Sequence, residues 1–146
     1  MFTVSESVSI ARSPEEVFDF FIDGRYRPQW DPTVVFERLT SPEPFGVGST
    51  IHSRMRTLAG ESDFHWRVTQ FDRPTRLAMV STAGILPTSV LFAFSAAEDG
   101  CDARATIDGR PTGLLRIAEP VIGESMRSTL ATGLLRAKAM LERRTV

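Results

Sequence analysis

Apolar and polar residues alternate strictly over residues 2–11. Phe2, Val4, Val8 and Ile10 share one parity with Glu6, and Thr3, Ser5, Ser7 and Ser9 take the other. A period of two predicts a half-buried strand. The alternation stops at Ser13-Pro14-Glu15-Glu16, which has the chemistry of a helix start. A hydroxyl cap is followed by proline at the first helical position and two acids at the positive end of the dipole. Val17, Phe18, Phe20, Phe21 and Ile22 give that helix an apolar side, and Asp23-Gly24 ends it. Tyr26-Arg27-Pro28-Gln29-Trp30-Asp31-Pro32 is too rich in proline for a strand and predicts a short helical turn or loop carrying two aromatics.

Six further strands are predicted over residues 33–39, 49–58, 62–71, 76–83, 88–97 and 101–108. Turn chemistry separates them: Pro42-Glu43-Pro44-Phe45-Gly46, Ala59-Gly60, Asp72-Arg73-Pro74, Gly84 with Pro87, and Asp99-Gly100. Short turns between consecutive strands imply an antiparallel meander. From Thr112 the period becomes helical, with Ile122, Met126, Leu130, Gly133, Ala137, Met140 and Leu141 on one side. Pro120 predicts a kink or a separate first turn. Arg136, Lys138, Arg143 and Arg144 crowd the last turns, where cations favour the negative end of the dipole.

Hairpin arithmetic sorts inside from outside. With Ala59-Gly60 as the turn, Met55 faces Phe64, Ser53 faces Trp66 and Ile51 faces Val68. The other face pairs Arg56 with Asp63, Arg54 with His65 and His52 with Arg67. A slip of one residue would set Arg54 and Arg56 opposite Trp66 and Phe64, which a half-buried sheet disfavours. The turn Asp99-Gly100 pairs Ala96 with Ala103, Phe94 with Ala105 and Phe92 with Ile107, while the turn at 72–75 pairs Val68 with Met79 and Gln70 with Leu77. The expected inner face is Ile51, Met55, Phe64, Trp66, Val68, Leu77, Met79, Phe92 and Phe94, with Ala103, Ala105 and Ile107. The apolar side of the last helix is its natural cover.

Composition adds modest limits. The 146 residues suit one domain, taken as 1–146, and 42% hydrophobic with 24% charged residues is ordinary for a globular chain. A net charge of −1 from 17 basic and 18 acidic side chains gives no electrostatic reason to bind nucleic acid or an anionic membrane. No apolar run approaches membrane-spanning length, so no integral membrane segment is expected. A single cysteine and an N-terminus without a signal-peptide pattern make the cytoplasm the expected compartment. Ten phenylalanines, two tryptophans and five methionines are bulky, adaptable side chains suited to lining a cavity or to filling a core.

Candidate chemistry is sparse. Register puts His52 and His65, the two histidines, on the outer charged face about two pairs apart, and the neighbourhood lacks the further ligands of a metal site. Cys101 sits at a turn and reads as incidental. Phe45-Gly46-Val47-Gly48-Ser49-Thr50 lacks the second half of either nucleotide-binding signature and precedes a strand, so no phosphate loop and no cofactor is expected. Ser53, Thr57, Gln70 and Ser81 are the neutral polar residues among the inner positions. Two carboxylates are weak catalytic candidates: Glu6, from its parity, and Glu119, if the helix continues through Pro120. Inside a cavity either would have to be paired, hydrogen-bonded or protonated. Otherwise Glu6 lies toward a sheet edge and Glu119 snorkels at the helix start.

Several landmarks span almost the whole chain: Val8-Ser9-Ile10-Ala11-Arg12-Ser13-Pro14-Glu15-Glu16-Val17-Phe18, Trp30-Asp31-Pro32, Val47-Gly48-Ser49, and Leu134-Leu135-Arg136-Ala137-Lys138-Ala139-Met140-Leu141-Glu142. With the order of elements, they make the chain resemble the START-like superfamily (SRPBCC, helix-grip fold), and within it the polyketide cyclase/dehydrase and lipid-transport group. The resemblance implies an α+β fold: a curved seven-stranded antiparallel sheet wrapped around a long C-terminal helix, with two short helices between strands 1 and 2. It also implies a deep cavity for a hydrophobic small molecule or lipid. Members range from carriers and sensors to aromatase/cyclases, and fold alone does not choose among them.

The leading reading is a binder of a lipid- or polyketide-like ligand, lined by Trp30, Met55, Phe64, Trp66, Met79, Phe92, Phe94, Met126 and Leu130. The first alternative is a polyketide cyclase or dehydratase type of enzyme using Glu119 or Glu6 as a raised-pKa acid/base. The second is a protein-binding module whose outer face, with Arg54, Arg56, Arg67, His52 and His65, docks a partner.

Overall fold

Ser13 caps the first helix as its sequence predicts, accepting from the Glu16 backbone N–H at 3.2 Å, with Pro14 in the first turn. The computed structural model describes residues 1–144 and runs β1 (Phe2–Ile10), α1 (Pro14–Phe21), α2 (Arg27–Trp30), β2 (Val34–Leu39), β3 (Thr50–Thr57), β4 (Gly60–Asp72), β5 (Arg76–Ala83), β6 (Thr88–Ala97) and β7 (Gly100–Gly109). A 3₁₀ turn (Gly113–Arg116) then leads into α3 (Glu119–Glu142). All neighbouring strands are antiparallel, in the order β1-β7-β6-β5-β4-β3-β2. The sheet curls around α3 in the manner of a helix-grip fold, with bulges in the β2–β3 and β4–β5 pairings that add local bend and twist.

Two hairpin registers differ from expectation by two residues. The β3–β4 hairpin turns on Leu58-Ala59, so that Thr57 faces Gly60, Ser53 faces Phe64 and Ile51 faces Trp66. The β6–β7 hairpin turns on Glu98-Asp99, so that Phe94 faces Ala103, Phe92 faces Ala105 and Val90 faces Ile107. Each glycine stands one place after the turn rather than within it, at φ 97° for Gly60 and 153° for Gly100. For Gly60 this is the arrangement in which a left-handed residue follows a tight turn. A two-residue offset leaves every side chain on its face, so the inside–outside sorting survives. The pairing Val68 with Met79 is as expected, whereas a bulge moves Gln70 opposite Ala78 and Leu77 opposite Phe71.

Pro120 falls in the first turn of α3, where its missing N–H costs nothing, so the helix starts there instead of kinking. Its buried side is Ile122, Gly123, Leu130, Gly133, Leu134, Ala137 and Leu141. Gly133 allows close approach to α2: a Cβ there would lie 3.1 Å from the Trp30 carbonyl oxygen and 3.2 Å from its Cε3. Several basic residues near the helix end act sideways instead of along the dipole. Lys138 donates to the Ser9 carbonyl and to Glu142, and Arg144 reaches Glu16. No helix among the described residues is long and apolar enough to cross a membrane.

Candidate functional site

α1 covers only part of the sheet's concave face. Phe18, Phe20 and Phe21 are fully buried beneath it, and the Phe94 ring lies 5.5 Å from Phe18 and 5.6 Å from Phe21. Beyond α1, under the N-terminal half of α3, the interior stays open as a cavity of about 360 Å³. Trp30, Met55, Phe64, Trp66, Val90, Phe92, Ala105, Ile107, Leu115, Ile122, Met126 and Leu130 form its apolar wall. Phe64 and Trp66 stack in parallel, 5.8 Å between centroids, as successive inward residues of β4. Ala105, opposite Phe92 and without exposure, leaves room where a larger residue would fill the space.

Polar groups in the wall are few. Arg27, which opens α2, and Asp31, the residue that caps its end, form a nearly buried ion pair at 3.0 Å. Burial works against the Arg27 charge, but Glu37 and Asp31 together outweigh it and hold the guanidinium above its ordinary pKa. Asp31 Oδ2 accepts from Arg27 Nε and Nη2, and Oδ1 accepts from the Thr33 backbone N–H and hydroxyl. The Arg27 guanidinium also sits 4.7 Å from the Trp30 ring centroid, within cation–π range. Thr33, Thr57, Thr88, Ser125 and Thr129 add hydroxyls. Trp30 Nε1 is buried and has no hydrogen-bond partner among the described residues.

Seven of the nine expected lining residues meet at this cavity: Trp30, Met55, Phe64, Trp66, Phe92, Met126 and Leu130. Met79 and Phe94 do not. Both face inward, as their parity requires, but they are buried in the packed core, and the α1 phenylalanines cover Phe94. Neither carboxylate candidate lines the cavity. Glu6 is half-buried opposite Ala105 on the edge strand β1, and Glu119 binds the N-terminal ammonium of Met1 at 3.0 Å.

Cys101 is not at a turn. It is a buried β7 residue between Ile10 and Ala96, and burial pushes its thiol pKa up, away from reactivity. His52 and His65 are direct cross-strand partners on the outer face, stacked at 4.7 Å, rather than two pairs apart. His52 Nε2 lies 3.0 Å from Asp63, whose carboxyl it holds below the usual range. Arg54 pairs with Glu61 and Asp63 there. Arg56 is exposed, as expected, and its side chain also reaches the cavity rim, where its guanidinium donates to the Pro32 carbonyl at 3.1 Å. Among the described residues no cluster of three or more His, Cys, Asp or Glu could hold a metal.

Sequence reasoning missed Arg27, Asp31, Thr88, Val90 and Thr129. The i, i+4 spacing of Arg27 and Asp31 beside Trp30 was a usable signal, as was the three- and four-residue spacing of Ile122, Ser125, Met126 and Thr129. A second depression, of about 550 Å³, lies on the outer face between β1, β6 and β7, with Ser7, Ser9, Arg76, Ser95, Asp102 and Arg104 in its wall. It is a shallow polar groove, and it gathers none of the expected lining residues except Phe94.

A family model described as polyketide cyclase / dehydrase and lipid transport matches residues 1–142. Uncharacterised proteins of Mycobacterium tuberculosis and Mycobacterium bovis are 36% identical over 59 residues, which is 40% of this chain and 35% of theirs. The chain thus aligns with only about a third of the length of those relatives. Among solved structures, a START superfamily protein from Mycobacterium smegmatis superposes with a TM-score of 0.78 at 18% identity, covering 98% of this chain and 99% of that one. A protein from Chromobacterium violaceum gives 0.77 at 14%, covering 97% and 98%. The di-domain ARO/CYC StfQ from the steffimycin biosynthetic pathway gives 0.78 at 12%, covering 97% of this chain and 51% of that one. At these identities the structural likeness concerns the fold.

Proposed function

This chain belongs to the polyketide cyclase/dehydrase and lipid transport family, and we propose that it is a binding member, holding one lipid- or polyketide-like molecule in the cavity under α3. The observation that carries this reading is the cavity's wall, in which two tryptophans, two phenylalanines and two methionines surround about 360 Å³. That volume is at the small end of ordinary ligand sites, and an apolar guest entering it leaves water for a preformed apolar surface. Leu58 and Ile85 stand exposed in the two loops that reach the cavity, giving an apolar ligand a matching entrance.

The binding reading is favoured over the enzymatic one by the state of the nearest acid. Asp31 already accepts four hydrogen bonds, and Glu6 and Glu119 stand outside the wall. A general acid or base needs a free position within reach of substrate.

Titration with 1-aminoanthracene, a fluorophore that brightens in apolar sites, tests the reading. A single saturable site is expected, with energy transfer from the two tryptophans in the wall. A linear, unsaturable signal would overturn it.

A further inference from the structure

Antiparallel pairing gathers several connections at one end of the sheet. The Leu58-Ala59 turn joins β3 to β4, residues 84–87 join β5 to β6, and the 3₁₀ turn follows β7, so all three leave the same end. Each supplies part of the cavity wall, through Leu58, through Ile85 and Leu86, and through Leu115. Large apolar side chains crowd this mouth on the outside as well. Leu58, Ile85, Leu114, Ile117 and Val121 all stand exposed there, Leu114 by 85% and Ile117 by 81%. Of the other large apolar side chains exposed among the described residues, Met1 is at the same end, and Val47 and Leu135 lie away from it. Scattered exposed leucines need no explanation, but a cluster around the mouth of an apolar cavity does.

The charges at this end have a consistent sign. Glu119 is held by the N-terminal ammonium, Glu61 by Arg54, Glu124 by Arg127 and Asp31 by Arg27. Asp108 accepts from the Thr3 hydroxyl and is the one carboxylate there without a cation partner among the described residues. Against it stand three exposed arginines with no carboxylate partner among those residues: Arg56 at the rim, Arg110 just after β7, and Arg116 between Leu114 and Ile117. The whole chain carries a net charge of −1, so this excess of positive charge is local. Leucine and isoleucine interleaved with unpaired guanidinium groups suit acyl chains lying beneath anionic headgroups, because long basic side chains can keep their charge at the headgroup level.

We propose that this end of the molecule docks on a lipid bilayer bearing anionic headgroups, with Leu114 and Ile117 at the acyl boundary and Arg110 and Arg116 at the phosphates. On the binding reading above, a guest then passes between the acyl chains and the cavity through an apolar rim, without crossing water.

Flotation of the full chain with vesicles of phosphatidylcholine, with or without about a quarter of phosphatidylglycerol, reads the docking. Binding is expected to be at least about tenfold stronger on the anionic vesicles and to weaken as salt rises. Leu114→Asn together with Ile117→Asn should cut it about tenfold. Arg110→Gln together with Arg116→Gln should remove most of the preference for anionic vesicles, and Leu135→Asn should change nothing. All five side chains are exposed, so the variants should keep the wild-type Tm and affinity for 1-aminoanthracene.

No flotation, with 1-aminoanthracene binding intact, would overturn the docking and leave the binding reading standing. Equal affinity for the two kinds of vesicle, or docking untouched by the Leu114 and Ile117 substitutions, would also overturn it. So would a lipid-free dimer in sedimentation velocity that those two substitutions dissolve, since a second copy would then cover the patch. An absence of saturable 1-aminoanthracene binding would remove the binding reading and, with it, the passage of a guest.

Discussion

The two halves of the interior share one sheet and one helix, yet one is filled and the other is hollow. Under the C-terminal half of α3, residues Leu134, Ala137 and Leu141 are fully buried, and the neighbouring space beneath α1 is packed by Phe18, Phe20, Phe21 and Phe94. A polar clasp fastens this end. Arg12 donates to the carbonyls of Glu142 and Arg144, the Ala11 backbone N–H donates to the Glu142 carboxylate at 2.8 Å, and Lys138 bridges Glu142 to the Ser9 carbonyl. Under the N-terminal half, Ile122, Met126 and Leu130 face a space no short helix fills, and the ion pair of Glu119 with the N-terminus holds the helix start. Phe92 stands at the border, 5.5 Å from Phe21 and 6.3 Å from Trp30. Packing and open volume are thereby separated along one helix: the closed end is filled by side chains, and the open end borders the cavity where the proposed guest would sit.

The sharpest way to break this contrast is at the closed end. Phe18→Ala deletes a side chain without exposure whose ring meets both Phe71 and Phe94. It should cost about 3–5 kcal/mol of unfolding free energy, read from urea denaturation. Binding of 1-aminoanthracene by the fraction that remains folded should not change. A loss below about 1 kcal/mol would show that the closed end is not close-packed.

The opposite pattern is expected for Thr129→Phe at the open end. Thr129 projects into the cavity wall, so the new ring occupies the empty volume. Affinity for 1-aminoanthracene should fall more than tenfold while stability moves by no more than about 1 kcal/mol, because the added surface is buried in space already present. Unchanged affinity would place the probe elsewhere.

The smallest effect concerns the clasp. The hydrogen bond from Lys138, followed by that from the Ala11 backbone, holds the Glu142 carboxyl below its ordinary pKa of 4.5. A carboxyl depressed by folding contributes stability in full above that value and loses it as pH falls through the lower, folded-state value. Glu142→Gln should therefore lower Tm slightly at neutral pH and flatten the dependence of Tm on pH below about 4.5. Parallel Tm curves for the two proteins would show that the clasp adds nothing.

Much of this organisation was legible in the sequence, and the parts that were not share a physical cause. Period-two alternation reports which face a residue takes. It therefore put Phe64, Trp66, Met79, Phe92 and Phe94 inside, and it kept His52 and His65 outside even though both hairpin registers are offset by two. The same alternation is blind to a shift of two, because such a shift moves no side chain across the sheet. The chemistry of the turn decides it, and in both hairpins glycine follows the two turning residues.

Alternation is equally blind to position along the strand. Met79 and Phe94 share the inward parity of Phe92, yet both lie in the packed core: the α1 phenylalanines cover Phe94, and Met79 is buried on β5 opposite the cavity residue Val90. Which end a short helix covers is a tertiary fact with no local signature. Cys101 shows the error in the other direction: placing Gly100 within the turn put its neighbour at the turn as well, whereas it is a buried strand residue. Arg27 and Asp31 escaped notice because a charged pair beside a tryptophan reads as surface until the fold buries it.

The contrast between the two ends is tested most directly by crystals of the protein under xenon pressure, since xenon enters dry apolar cavities and is excluded from close-packed cores. Xenon is expected among Trp30, Trp66, Phe92, Met126 and Leu130, with none beneath α1. Xenon among the α1 phenylalanines, or an interior that takes up none, would contradict the account.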